Sequence, residues 1–131
     1  KLSDHTKKMY EMNNQQFFLR DSENILKAGA IVLIGTKQSV LGLNCGLCGF
    51  ATCEEKLSNQ KVPCMFNSND LGIAIGSAVS IASDNRIDSR VMYSVGIAAK
   101  ELGLYGEEVA YGFAIPLSVS GKNPFFDRPT L

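Results

Sequence analysis

The sequence predicts a single α/β domain: a central sheet with packed helices and an inserted metal-binding loop. Three observations lead there. Residues 30–35, Ala-Ile-Val-Leu-Ile-Gly, form a short apolar run with a β-branched centre, the pattern of a strand covered on both faces and placed centrally in its sheet. Asp70 and Asp88 each stand before a stretch of helical character, 71–83 and 89–102, and an aspartate side chain caps a helix start well. All four cysteines of the 131 residues fall between Cys45 and Cys64, a crowding that points to a metal.

Taken in order, Leu2, Met9 and Met12 recur at roughly helical spacing up to Asn13-Asn14 and predict an amphipathic first helix. Phe17-Phe18-Leu19 is an apolar anchor, and Asp21-Ser22 is expected to cap a short helical turn through Leu26 before Ala28-Gly29 breaks it. The strand 30–35 follows, closed by Gly35. After the cysteine loop begins at Gly42-Leu43-Asn44, residues 51–59 suit a short helix with Cys53 near its positive end, which favours a thiolate. Gly46 and Gly49 let the backbone bend so that amide N–H groups face the sulfurs. In the second half, Gly72, Gly76 and Ser80 form a smooth helical ridge, with Gly96 and Ala99 as the expected opposing surface of a tight helix pair. Residues 107–117 alternate through Val109, Tyr111, Phe113 and Ile115 as a second strand ending at Pro116, and 118–128 reads as loop. No internal repeat divides the chain, so 1–131 is one domain.

Two residues separate Cys45 from Cys48, four separate Cys48 from Cys53, and ten separate Cys53 from Cys64. Three thiolates on one tight loop and a fourth returning after a short excursion suit a four-thiolate iron–sulfur cluster. Structural zinc is the competing reading, but it usually takes two separated two-cysteine knuckles, and this loop has one knuckle followed by single cysteines. A bound cluster needs N–H donors and a dry cover, which Leu47, Phe50, Val62, Met65 and Phe66 can provide, while Pro63 restricts the backbone just before Cys64. His5, the one histidine, lies near the start of the sequence and reads as a surface residue, giving little support to a Cys-His device or an imidazole ligand. Ser120-Gly121-Lys122-Asn123-Pro124-Phe125-Phe126-Asp127-Arg128 either grips a phosphate or packs the tail on the core, and packing is the favoured reading.

Thirteen basic residues balance thirteen acidic ones without a basic run, which argues against nucleic-acid and anionic-membrane partners. The apolar stretches 28–35 and 71–82 are too short or interrupted to span a bilayer, and no secretory segment opens the sequence. Clustered thiols in such a chain fit a reducing, cytoplasmic setting.

The segment Asn44-Cys45-Gly46-Leu47-Cys48-Gly49-Phe50-Ala51-Thr52-Cys53, with Cys64 beyond it, resembles the 4Fe-4S domain in the electron-transfer subunit of Rnf-type ferredoxin–NAD reductase complexes and in corrinoid and acetyl-CoA pathway proteins. That resemblance implies Cys45, Cys48, Cys53 and Cys64 as the four ligands, with a shorter spacing before the last than in many such domains. More widely, Phe17-Phe18-Leu19-Arg20-Asp21, the run 30–35, residues 70–78 and residues 116–128 resemble uncharacterised prokaryotic proteins described as containing a ferredoxin domain. Members of that family carry an additional N-terminal helix and strand, so the chain is expected to begin after that segment. Their α/β layout is similar to nitroreductase-like flavoproteins.

The first functional reading is a 4Fe-4S protein that passes single electrons to or from a redox partner protein. The alternatives are an FMN-dependent oxidoreductase, with flavin between the paired helices and the 120–128 tail and the cluster as accessory, and a structural zinc domain. The ridge at Gly72 and Gly76 also suits association into a homo-oligomer.

Overall fold

In the computed structural model, which describes residues 1–126, the apolar run becomes β1 (Ala30–Thr36) and pairs antiparallel with β3 (Tyr111–Ser118), Ile31 opposite Pro116 and Leu33 opposite Ala114. The short β2 (Asp88–Ser89) lies on the other side of β3, giving a three-stranded sheet in the order β1-β3-β2. The helices are α1 (Leu2–Asn13), α2 (Gln16–Asn24) with a 3₁₀ turn at Ile25–Lys27, α3 (Cys53–Leu57), α4 (Met65–Asp84) and α5 (Tyr93–Glu101). The mixed α/β architecture is the one the sequence predicts.

Alternation along the strands sends successive side chains to opposite faces. Ile31, Leu33 and Ala114 meet Ile25, Met92, Val95 and Phe125 on one face, and Met9, Phe18 and Ala98 continue that core between α1, α2 and α5. Val32, Ile115 and Leu117 face the other way, toward Ala78, Ile81 and Ala82 of α4. The apolar run is thus a strand at the sheet's margin among the described residues, not a central one, and Val32 stays 39% exposed. Composition misleads here because an apolar run records that both faces touch apolar groups, not which edges are paired.

Pro116 does not end the second strand but sits buried inside β3. Asp88 pairs with Ser118, Ser89 with Leu117 and Met92 bridges Ala114, a register that sets Arg90 opposite Pro116. Proline has no N–H to give at that point. The ladder accordingly lapses between β2 and Met92, and the proline is accommodated where the neighbouring strand is interrupted. Asp88 therefore belongs to a strand rather than a helix cap, and α5 starts only after the Met92 bridge, at Tyr93.

Another start differs from expectation. Asp21 lies within α2, 3% exposed, accepting from Ser94 Oγ at 2.5 Å and pairing with Arg20 at 2.8 Å, so it ties α2 to α5 instead of capping a turn. The first helix ends as predicted: Asn14 turns into the left-handed region with φ 50° and its N–H donates to the Tyr10 carbonyl at 2.7 Å. Met12 of that helix is solvent-exposed, leaving Met9 as the methionine it buries.

The expected tight pairing of the Gly72–Gly76 ridge with Gly96 does not form. Gly96 packs instead on β3: an added Cβ would lie 2.3 Å from the Gly112 carbonyl oxygen and 2.8 Å from the Phe113 Cα. Gly72 and Gly76 have nothing within 4 Å of an added Cβ, and Ile73 and Ile81 are 64% and 60% exposed. Small residues permit close approach to any backbone, and the sheet takes the one on α5. Gly96→Ala should therefore destabilise the fold by about 1–3 kcal/mol in urea titration, whereas Gly72→Ala should be neutral or slightly stabilising through helix propensity. Tyr105 closes the same end of the sheet, donating to the Phe113 carbonyl at 3.1 Å, and burial pushes its phenol above the ordinary value.

The tail packs. Phe125 is 1% exposed in the core, its N–H donates to Asn123 Oδ1 at 3.0 Å, and its carbonyl accepts from Arg90 at 2.7 Å and from Asn24 at 3.4 Å. Arg90 also lies 4.6 Å from the centre of the Phe126 ring. Asp127 and Arg128 lie outside the described residues. His5 is paired through Nε2 with Glu101 at 2.7 Å, bridging α1 and α5.

Candidate metal centre

Between β1 and α3 the backbone has no helix or strand, and its course is set by side-chain clamps and left-handed turns. Asn44 adopts φ 48°, Gly46 φ 72° and Gly49 φ 89°, and at the glycines such a conformation is free of the Cβ penalty. The Gly49 N–H donates to the Gly46 carbonyl at 3.0 Å, closing a turn around Leu47 and Cys48. Asn44 holds Cys53 twice: its Oδ1 accepts from the Cys53 N–H at 2.8 Å and its own N–H donates to Cys53 Sγ at 3.4 Å. The amide that reaches sulfur is therefore that of Asn44 rather than of either glycine.

Cys53 opens α3, shorter than the predicted 51–59. Thr52 caps it, accepting from the Glu55 N–H at 3.1 Å, while Glu55 reaches back to the Ala51 N–H at 3.1 Å. Thr-x-x-Glu is the sequence signature of this arrangement, and it would have set the helix start at Cys53.

Cys64 sits at the N-cap of α4, with φ −68°, ψ 135° and 7% exposure. The helix begins at Met65, not after Asp70, because its first turn is anchored from outside: the buried Asn67 side chain donates to the Lys37 and Ser39 carbonyls, both at 2.9 Å. Gln38 donates to the Val62 carbonyl at 3.3 Å, a further tie between the segment after β1 and the approach to Cys64. The N-terminal end of a long helix lies beside this thiol. Asn67→Ala would leave two carbonyls without their donor, so a loss of about 1–3 kcal/mol is expected, measured by denaturation.

Cys45, Cys48, Cys53 and Cys64 line one recess together with Asn44, Thr52 and Lys56. Phe50, Met65 and Phe66 supply apolar wall as predicted. Val40, Leu41 and Leu43 complete it in place of Leu47 and Val62, which stay outside. Cys45 is exposed, Cys48 and Cys53 are partly covered, and all four thiols are free. Among the described residues, no group of three or more His, Cys, Asp or Glu side chains is drawn together closely enough to hold a metal ion. The donor set is soft thiol without imidazole or carboxylate, and the wall is apolar, a combination that suits iron–sulfur or zinc rather than hard cations.

Residues 60–128 match the model of a family described as uncharacterized proteins containing a ferredoxin domain. A protein of Archaeoglobus fulgidus, named an uncharacterized protein, is 45% identical over 131 residues, covering 92% of this chain and 70% of that relative. The chain belongs to this family. A ferredoxin domain implies an iron–sulfur cluster in general, without fixing its type. No solved structure matches the chain, so the Rnf-type, corrinoid and nitroreductase-like resemblances gain no support. No helix of the described residues is long and apolar enough to cross a membrane.

Proposed function

We propose that this protein binds a 4Fe-4S cluster through Cys45, Cys48, Cys53 and Cys64 and carries single electrons to or from a redox partner protein. The observation that carries this reading is that the four cysteines, 20 residues from first to last, line one apolar recess. Such a cluster supplies a one-electron couple. The chain's own groups supply the rest: Asn44 fixes Cys53, the start of α4 holds the buried Cys64, and Phe50, Met65 and Phe66 limit water. Exposed Cys45 leaves one side of the loop open to an electron partner.

Purification without oxygen, followed by iron, sulfide and zinc assay, tests this. About four iron and about four acid-labile sulfide per chain are expected. Stoichiometric zinc with no sulfide would contradict it. The helix pair that a flavin site was expected to use is not formed, since α4 and α5 pack on opposite faces of the sheet.

A further inference from the structure

Lys56 is 2% exposed, among the most deeply buried side chains of the described residues. Lysine is almost never so enclosed unless its charge is paired. The ion pairs among the described residues are Lys1–Asp4, His5–Glu101 and Arg20–Asp21, and none involves it. No hydrogen bond of its ammonium occurs among the described residues either, although its backbone N–H and carbonyl are engaged in α3 and its end. Neighbouring Glu54 and Glu55 are exposed, and a Glu55 oxygen is occupied by the Ala51 N–H. Lys56 follows Cys53 by three residues, which sets both on one face of α3, and both line the recess of the four cysteines.

We infer that Lys56 is the counter-charge of the metal centre, there to offset the negative charge of thiolate-held iron and to raise its reduction potential. The inference rests on the cluster reading above. No side-chain nitrogen among the described residues is both sealed from solvent and unpartnered, so the ammonium of this enclosed side chain keeps a little solvent contact, and four ionised thiolates around an iron–sulfur core would supply the negative charge it lacks among protein groups. Apolar walls keep water from screening the attraction. Because reduction adds one further negative charge, a fixed cation nearby favours the reduced state, whatever the partner.

The test compares wild type, Lys56→Met and Lys56→Arg, each loaded without oxygen, assayed for iron and sulfide and titrated with dithionite as the one-electron reductant. Met keeps the length of the stem and removes the charge; Arg keeps the charge. In the Met variant the one-electron equilibrium should shift about tenfold toward the oxidised form, a potential about 59 mV lower, and the Arg variant should stay near wild type. The metal-free Met variant should be at least as resistant to heat as metal-free wild type, because the unpaired charge is gone. Equal potentials in wild type and the Met variant would overturn the inference while leaving the cluster reading intact. So would a metal-free Met variant that fails to fold. Failure of the Met variant alone to load, with its metal-free fold intact, would support a need for the charge. Wild type without iron or sulfide would instead remove the cluster reading and the inference with it.

Discussion

Cys45→Ala is expected to leave the fold intact and to strip the protein of its cluster. Cys45 is exposed on a turn that belongs to neither core, so losing its sulfur removes almost no packing. Any drop in bound iron then reports ligation alone. Cys64→Ala should lose iron equally but also cost the fold about 1 kcal/mol, since that thiol is 7% exposed at the start of α4. Iron content falling from about four to under about one per chain in both variants, with unchanged far-ultraviolet dichroism for Cys45→Ala, is the predicted result. Full iron retention in either variant would remove that residue from the ligand set.

Phe125→Ala should be the most damaging of the packing changes, destabilising the protein by about 3–5 kcal/mol. The ring fills the core between Ile25, Met92, Val95 and Ala114, and the backbone around it is tied to Arg90 and Asn24. Domains of this size have only about 5–15 kcal/mol in total, so the urea midpoint should fall by a large fraction of its value. A change below about 1 kcal/mol would mean that the tail merely rests on the surface and would reopen its role as a ligand-gripping segment.

The parts of this protein that were legible in the sequence are those set by local chemistry. The apolar run 30–35 could hardly be anything but a strand, and Asn13-Asn14 stops a helix because Asn tolerates the left-handed turn found at Asn14. The bends of the cysteine loop are legible for the same reason, since Gly46 and Gly49 take left-handed conformations without a Cβ penalty. What could not be read depends on groups distant in the chain. The start of α4 is fixed by Asn67 bonding carbonyls 28 and 30 residues earlier, and no local cap signals it. Pro116 reads as a strand end in the sequence because its tolerance inside β3 depends on a gap in a neighbouring strand. The burial of Lys56 has no local signal either, since Glu-Glu-Lys on a short helix reads as a solvated face. Small-residue ridges misled because Gly72 and Gly96 look alike in sequence, while the sheet separates them.

X-ray absorption at the iron and zinc edges of oxygen-free protein tests the cluster assignment most directly, since it reports the metal and its neighbours together. Iron surrounded by sulfur, with a second shell of iron, is the predicted spectrum. Zinc with four sulfurs at about 2.3 Å and no iron signal would contradict it.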